Sequence, residues 1–529
     1  MYKEQWLNTY GKFETSGVHE LVRTITAPIP VVRCVTSSLE SHTGELPAAM
    51  NKWTVLVLSA AATFMTTLDG SIVNIGLPDI ARTFHAGISG ATEWIIIGYL
   101  VIIAAVLLTC GRLADMIGRK PIFLTGLVVF IMGSALSGLA PSLLLLILAR
   151  LFQGIGGALI FSVNVAMITS TFSRNERGLA LGLNAVVVSL GVAAGPTIGG
   201  IIIQYMTWRW IFFVNVPICL IVLLASFYLY REQGSPSKRH ERFDPIGAIV
   251  LAIGLAALTL GLSFGQEWGW LSPGTLTSLG VSLVMLTVGV YVEMHVEHPI
   301  VNLSLVTNRV FALANISFIL CMMALFAPGF LLPFYFEELR GFSTIQTGLM
   351  LTPLPLMLAV AAPLSGTLAD RFGSRWLSPI GLTIACVGLF LLSQINAQSS
   401  TWDIIWRLAV TGIGQGLFQS PNTRTLMGAA PLNAQGEASG LLATGRVIGQ
   451  SMSVALTGTI FVLLGGAAAG TVLTSLQEHN LPTTTNLVAL QNTFVNSFHA
   501  ALLVCAFFAA IGIFTALARG DNEVTKKAR

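Results

Sequence analysis

The chain has 529 residues, of which 54% are hydrophobic and only 10% are charged, and its formal net charge is +4. A soluble globular protein carries about 25% charged residues, so this chain cannot cover itself with a polar surface and its solvent must be lipid. The small net charge provides no global basic field, so nucleic acid is not an expected partner. The composition therefore predicts an all-α integral membrane protein.

Residues 1–50 are polar and mixed, and they contain no apolar stretch of the signal-peptide type. Met50 directly precedes Asn51 and the first apolar run, as a natural start would. We expect this N-terminal extension to be disordered or to belong to an over-extended gene model.

Fourteen runs are long and apolar enough to cross a bilayer, which takes about 20 mostly apolar residues. A twelve-helix alternative would make 245–265 and 275–292 re-entrant, but both runs are long and nearly free of charge. We therefore predict about fourteen membrane helices. They lie near 53–76, 91–110, 121–139, 142–163, 179–204, 209–230, 245–265, 275–292, 310–335, 345–368, 377–395, 402–427, 437–464 and 496–518.

The basic residues alternate between the loops in a way that predicts the orientation. With both termini in the cytoplasm, that side holds about 17 Lys and Arg residues and the other side about three, as the positive-inside rule requires. We therefore predict a multi-pass protein of the inner (cytoplasmic) membrane. Its predicted parts are a polar extension (1–50), a six-helix bundle (51–230), a charged linker with two inserted helices (231–305), a second six-helix bundle (306–518) and a cytoplasmic tail (519–529).

The two halves carry matching features in the same order. The segment GRLADMIGRK (111–120) follows the second predicted helix, and GTLADRFGSR (366–375) follows the tenth. An intramembrane arginine with glycines behind it comes later in each half: Arg150 and Arg407 lie 35 and 37 residues after the aspartate of the loop. This pattern predicts two parallel halves, with substrate bound near the midplane between them.

Five segments in chain order resemble signatures of one transporter family, the major facilitator superfamily, in its fourteen-span drug:proton antiporter branch (EmrB/QacA type). With the repeat, the resemblance covers residues 53–518. It implies a secondary exporter of lipophilic or monocationic small molecules, multidrug efflux by alternating access, and no cofactor because the proton gradient drives transport. The segments are LDGSIVNIGLP (68–78), the 111–120 loop, RLFQGIGG (150–157), GVAAGPTIGG (191–200) and WRWIFFVNVP (208–217).

Asp69 is the strongest candidate for the proton site. An ionisable group inside an apolar helix is costly and normally faces a cavity or a partner. Burial disfavours the charged form of a carboxylate, which suits a group that must load and release a proton. The same carboxylate could attract a cationic substrate. The alternative is a structural role, in which Asp69 bonds neighbouring backbone.

Four further residues complete the predicted coupling and substrate set. Arg150 is charged at any working pH, and the resemblance implies a role in proton coupling, with a structural clamp between helices as the alternative. Arg407 is its repeat mate. Arg446, in the thirteenth run, is expected to face the cavity. Glu93 is either an interfacial residue or an outer-gate proton site.

The loop around Asp115 is predicted to form a conformational latch. Two glycines allow a tight approach, and the charged residues can form an ion network at a helix end, where the helix dipole contributes. The resemblance implies that the latch steadies the outward-facing state; a basic loop that only sets topology would explain the arginines alone. The predicted members are Gly111, Arg112, Asp115, Gly118, Arg119, Asp370 and Arg371.

Small residues and a proline recur in the fifth predicted helix. Small residues permit close packing in lipid, and membrane helices tolerate Pro. The resemblance adds that a bend here shapes alternating access for exchange. The set is Gly191, Gly195, Pro196, Gly199 and Gly200.

Other chemistry has little support. The glycines of 154–157 superficially resemble a nucleotide loop, but no strand precedes them and no Walker motif occurs, so ATP drive is not expected. The six Cys lack metal-ligand or redox spacing, and with no nucleophile–base pair or zinc motif we predict that the chain is not an enzyme. The run 345–368 contains no Asp or Glu, which argues against divalent cations and favours lipophilic neutral or monovalent substrates.

The alternative function is export of one endogenous metabolite, siderophore or lipid on the same scaffold. A membrane-embedded enzyme, a sensor and uptake by symport are disfavoured. The predicted partners are the bilayer, protons and small lipophilic or cationic molecules, with a periplasmic adaptor at the outer face as an open alternative. A functional monomer is expected.

Overall fold

The computed structural model describes residues 51–85, 92, 94–173, 175–229, 243–296, 299–301, 303–431, 434–479 and 487–519. The predicted N-terminal extension, Glu93, the linker 231–242 and the tail 520–529 lie outside the described residues. The described residues belong to one compact unit.

The described residues of the first half and the central insertion fold as helices, without a strand. Polar side chains fix several helix starts by accepting a backbone N–H bond of the first turn: Asn51, Ser142 and Asp244 each do so. The helices are α1 (Lys52–Thr83), α2 (Trp94–Ile117), α3 (Arg119–Leu139), α4 (Leu143–Thr171), α5 (Arg177–Tyr205), α6 (Trp210–Phe213), α7 (Asn215–Leu229), α8 (Pro245–Trp268) and α9 (Pro273–His295).

The second half is also helical over its described part, and its first long segment changes pitch from α-helix to a π-helix at Tyr335–Leu339. Asn308 and Ser400 cap two of its helices. The helices are α10 (Leu303–Thr307), α11 (Arg309–Leu325), α12 (Ala327–Phe334), α13 (Thr344–Leu351), α14 (Pro353–Phe372), α15 (Leu377–Leu392), α16 (Thr401–Ala429), α17 (Gln435–Leu463), α18 (Gly466–His479) and α19 (Leu487–Ala518).

Twelve segments of the described chain are long and apolar enough to cross a membrane. All fourteen predicted runs fall on helices, but α15 has only 16 residues, and α16 is not among the twelve because polar residues recur along it. The prediction of an all-α membrane protein is confirmed, whereas the number of crossings stays a prediction. The short helix α18 was not predicted, because its apolar part, Gly466–Leu476, is shorter than a membrane span.

The two halves meet along several helix pairs, chiefly α2 with α17 and α5 with α14. One apolar cluster joins residues of both halves, among them Leu181 of α5 and Phe418 of α16, and a second lies mainly in the first half. The inserted helices α8 and α9 pack on one another, and α8 also lies against both α2 and α17. Leu108 of α2, Leu251 of α8 and Ile448 of α17 belong to one apolar cluster at this junction. This arrangement is two helix bundles with an inserted pair; the predicted domain boundaries stay predictions.

Candidate coupling site

Asp69 of α1 and Arg150 of α4 form an ion pair in the interior of the first half, and neither side chain is exposed. Nη1 of Arg150 lies 2.6 Å from Oδ2 of Asp69, and Nε donates to the carbonyl of Ile95 at 3.1 Å. The guanidinium carbon lies 4.2 Å from the centre of the Tyr99 ring and 5.6 Å from that of Phe212. Ring faces attract a cation, so the aromatic walls compensate part of the cost of burying it.

The second oxygen of Asp69 is held by two amides. Gln153 Nε2 donates to Oδ1 at 3.0 Å, and Asn215 Nδ2 donates to the same atom at 2.8 Å. Both amides also donate to Ser134 Oγ, at 2.6 Å and 3.3 Å, and Gln153 Oε1 accepts from Arg150 at 2.7 Å. The charged carboxylate thus receives hydrogen bonds on both oxygens inside a network that spans α1, α3, α4 and α7.

The sequence singled out Asp69 and Arg150, and the structure brings them together. It did not single out Gln153, Asn215 or Ser134. Gln153 lies three residues after Arg150, so the helical period puts both on one face, and Asn215 lies in the 208–217 segment. Both were therefore inside recognised segments, but nothing in a single sequence brings Ser134 of another helix to them.

The glycines of α5 lie against α1 on either side of Asp69. A side chain at Gly191 would collide with Thr67 Oγ1, one at Gly195 with Ser71 Oγ, and one at Gly199 would lie 2.9 Å from Ile72 Cγ1. Ser71 Oγ also donates to the carbonyl of Gly191 at 3.2 Å. The helix runs unbroken through Pro196, and Gly200 meets nothing within 4 Å. Three of the four glycines therefore set the spacing between α1 and α5.

The latch residues of the first half contact the start of a helix in the second half. Both carboxylate oxygens of Asp115 accept backbone N–H bonds, from Gly436 and from Glu437, each at 2.9 Å. Arg112 Nη1 pairs with Glu437 Oε1 at 2.7 Å, and Arg119 Nη2 lies 4.0 Å from Asp115. Asp115 therefore caps α17, where the partial positive charge of the helix N-terminus attracts it.

The same arrangement recurs with the halves exchanged. Asp370 of α14 accepts N–H bonds from Gly178 at 3.0 Å and Leu179 at 3.1 Å, in the first turn of α5. Its ion-pair partner is Arg424 of α16, with Nε at 3.1 Å. The predicted member Arg371 is exposed. Sequence reasoning missed Glu437 and Arg424, because their roles depend on contacts between distant parts of the chain.

Glycines allow the close approach at both caps. The Cβ of any side chain at Gly111 would lie 2.6 Å from the carbonyl oxygen of Gly436, and one at Gly178 would collide with the carbonyl of Gly366. Gly118 has a φ of 109°, in the region that only glycine adopts without strain, and it makes the turn from α2 to α3. The end of the molecule that carries the latch is therefore closed by backbone-to-backbone contact.

The remaining predicted residues have separate surroundings. Arg407 pairs with Asp403 of its own helix at 2.8 Å and donates to the carbonyl of Leu391 at 2.7 Å. It lacks the cross-helix carboxylate that its repeat mate has, since α11 contains no Asp or Glu. Arg446 is partly exposed, with its guanidinium carbon 5.9 Å from the centre of the Phe318 ring.

The family model of the Major Facilitator Superfamily matches residues 59–454. The chain belongs to this superfamily. The match confirms the superfamily-level prediction and the prediction of a transporter rather than an enzyme, whereas the fourteen-span drug:proton antiporter branch stays a prediction. A solved superfamily structure, the proton:xylose symporter XylE, superposes with a TM-score of 0.60 at 13% identity, covering 88% of this chain and 94% of that one. That likeness shows the fold.

Three curated relatives are similar over most of their length. The uncharacterized transporter YebQ of Escherichia coli is 37% identical over 74% of this chain and 85% of its own. The riboflavin transporter RibZ of Clostridioides difficile is 31% identical over 78% of this chain and 88% of its own. The multidrug resistance protein Stp of Mycobacterium tuberculosis is 32% identical over 81% of this chain and 79% of its own. This superfamily member is therefore a membrane transporter of small molecules.

Proposed function

We propose that the chain is a proton-coupled antiporter of the inner membrane, which exports lipophilic small molecules by alternating access, with both termini in the cytoplasm. The observation that carries the proposal is the buried pair of Asp69 and Arg150 with its supporting amides. A titratable carboxylate in an apolar interior is costly, and in membrane proteins such groups typically mark ion pathways. The similarity to a multidrug resistance protein supports export.

Proton coupling follows from the charge balance of the pair. Protonation of Asp69 removes the negative charge and leaves Arg150 as an unpaired cation among aromatic rings. Removing one partner of a buried ion pair typically costs about 3–5 kcal/mol. That free energy favours a rearrangement in which Arg150 finds water or a new acceptor, and it is the source of the coupling between proton binding and conformation.

The latch provides the conformational half of the proposal. Its closed end is the predicted cytoplasmic end, so the described conformation corresponds to an outward-facing state. Switching to the inward-facing state must separate Asp115 from α17 and Asp370 from α5. Each separation exposes backbone N–H groups and a helix N-terminus to solvent, so the closed state is favoured until a proton or substrate shifts the balance.

Everted membrane vesicles test the proposal directly. Respiration acidifies their interior, and addition of a transported lipophilic compound should release protons, which an acridine dye reports; a protonophore should abolish the signal. The Asp69→Asn variant should lose proton release while it keeps the fold, because asparagine preserves the shape and some hydrogen bonds of the carboxylate. Asp69→Asn vesicles that release protons as well as the parent would contradict the assignment of the proton site.

The matched control is Asp79→Asn on the same helix. Asp79 pairs with the exposed Arg82 near the end of α1, away from the buried network. Its amide variant should release protons normally, which separates loss of the coupling carboxylate from general damage to α1.

A second candidate function is export of one endogenous compound on the same scaffold. The similarity to a riboflavin transporter favours it, since that relative handles a single metabolite by name. A susceptibility panel separates the two: broad protection of a pump-deleted host against unrelated lipophilic drugs supports multidrug export, and protection confined to one compound supports the specific exporter.

A further inference from the structure

Arg446 lies on the face of α17 that is turned toward the seam between the two halves. Cβ atoms at Gly445 and Gly449 would touch α11, and one at Gly436 would touch the carbonyl of Gly111 in α2. The opposite side of α17 packs on α8 through Leu441 and Ile448. At 100° per residue, Arg446 lies on the face of α17 between the side that contacts α11 and the side that contacts α2.

Two serines share this face with Arg446, one seven residues before it and one seven residues after it. Ser439 and Ser453 are 1% and 0% exposed. Their hydroxyl groups are buried, and in the described part of the chain they have no hydrogen-bond partner. Asn315 of α11 lies against the neighbouring Gly445, with Oδ1 3.0 Å from the position of a Cβ on that glycine.

Arg446 itself has no hydrogen bond or ion pair with any residue that the structure describes. Among the described residues, it makes a cation–π contact: its guanidinium carbon lies 5.9 Å from the centre of the Phe318 ring. An unpaired arginine in the middle of a membrane helix is costly and normally serves a transported ion or a ligand. The group is therefore poised to bind something that the protein alone does not supply.

The carboxylates on the inward helices are already bound elsewhere. Each is held by an arginine, by backbone N–H groups or by both, so none of them offsets the charge of Arg446. They are Asp69, Asp115, Asp370, Asp403 and Glu437. None of these five carboxylates is therefore available to Arg446, which shares its face of α17 with the unpartnered hydroxyl groups of the two serines.

We propose that Arg446 is the anion-binding subsite of the transported molecule, and that the substrates are lipophilic weak acids: an apolar aromatic body with one ionised acidic group. Arg446 binds the acid group through charge-assisted hydrogen bonds, and the buried Phe318 ring lies behind its guanidinium. Ser439 and Ser453 lie about 10 Å along α17 on either side of Arg446 and extend the polar face along which the acid group moves. The inference rests on the proposed export function for the identity of the ligand as cargo. It replaces the expectation of monocationic substrates, since Asp69 is held by Arg150 and does not face the seam.

A set of three ligands with one aromatic body and different charge tests the subsite. The probes are 1-naphthoate, its neutral amide 1-naphthamide, and 1-naphthylmethylammonium, each titrated onto the purified full-length protein at pH 7 by equilibrium dialysis. We expect naphthoate to bind tightest. Arg446→Gln should weaken naphthoate by about 10-fold or more, the usual effect of losing a hydrogen bond to a charged group, and should change naphthamide less than about twofold. Arg446→Lys should keep part of the affinity for naphthoate, because it keeps the charge.

The control variant is Arg309→Gln. Arg309 is exposed and donates to the carbonyl of Ala518, away from the seam, so its loss should leave all three affinities unchanged. The subsite is overturned if the ammonium binds as tightly as the carboxylate, if Arg446→Gln weakens the amide and the carboxylate equally, or if none of the three binds.

The experiments distinguish a failure of the proposed binding subsite from a failure of the proposed antiport. Binding needs no proton gradient, so naphthoate binding that depends on Arg446, together with absent proton release in vesicles, would support the subsite and contradict the proposed antiport. An electrical readout adds a second criterion: exchange of an exported monoanion for one incoming proton moves two charges per cycle, whereas exchange of a monocation moves none. In proteoliposomes, naphthoate transport should accelerate when a potassium–valinomycin gradient sets the membrane potential that favours proton entry. A transport rate that does not change with the imposed potential would count against an anionic cargo.

Discussion

Asp370 of α14 caps the first turn of α5 through the backbone N–H of Gly178 at 3.0 Å, and this contact joins the two halves of the chain. Asp115 makes the same contact in the opposite direction, to the first turn of α17. The two aspartates occupy corresponding positions of the internal repeat, at the ends of α2 and α14, and each caps a helix of the other half at the same end of the molecule.

The caps predict matched effects of two substitutions. Asp115→Ala and Asp370→Ala should each shift the conformational equilibrium away from the closed latch by about fivefold, since loss of an N-cap costs about 1 kcal/mol. Substrate affinity should change less than turnover, which is measured in proteoliposomes. The exposed Arg371→Ala is the control and should behave as the parent; an Asp115→Ala protein with unchanged turnover would remove the latch hypothesis.

Gln153 should matter for the integrity of the buried network. Its side chain donates to Asp69 and Ser134 and accepts from Arg150, so Gln153→Leu leaves buried polar groups without a partner. The variant should destabilise the first half by about 1–3 kcal/mol. Thermal unfolding in detergent measures this, and an unchanged melting temperature would contradict the supporting role of Gln153.

The α5 glycines predict a positional difference in packing. Gly195→Ala places a methyl group against Ser71 and the backbone of Ile72, and overpacking of this kind costs about 1–3 kcal/mol. Gly200→Ala meets open space and should be neutral. Thermal unfolding in detergent compares the two, and equal melting temperatures would refute the spacing role of Gly195.

The last residue of the described chain predicts a stability effect. Arg519 donates to Asn422 Oδ1 at 2.8 Å and to Ser378 Oγ at 2.9 Å, which ties the end of α19 to α16 and α15. Burial lowers the pKa of Arg519 to about 10, so the group remains charged at pH 7. Arg519→Ala leaves a buried amide oxygen without a donor and should destabilise the second half by about 1–3 kcal/mol.

A pH titration and a control accompany that prediction. Because the pKa in the folded state lies below that of a free arginine, the unfolded chain binds more protons above about pH 10, and the contribution of Arg519 to stability should rise with pH there. Arg309→Ala, an exposed arginine near the same helix end, should leave the melting temperature unchanged.

Much of the fold could be predicted from the sequence, because lipid imposes a simple rule on each segment: about 20 apolar residues form a helix that satisfies its own backbone. The rule is weakest where a helix is polar. Segment α16 was predicted as an apolar run, but polar residues recur along it and it is missing from the apolar spans.

The candidate site could be predicted only in part, for a different reason. Asp69 and Arg150 are conspicuous because charge is rare in such helices. Ser134 is an ordinary membrane-helix residue by sequence, and Glu437 lies 325 positions from its partner Arg112. Contacts of that kind depend on how distant helices meet, which no local pattern encodes.

The inserted helix α8 touches α2 and α17, one helix from each half, through a shared apolar cluster. In the proposed cycle, these two helices separate when the latch opens. A rigid α8 could then stay packed on only one of them, so the apolar contact with the other would be lost and remade in each cycle, and the strength of that contact would set part of the barrier to switching.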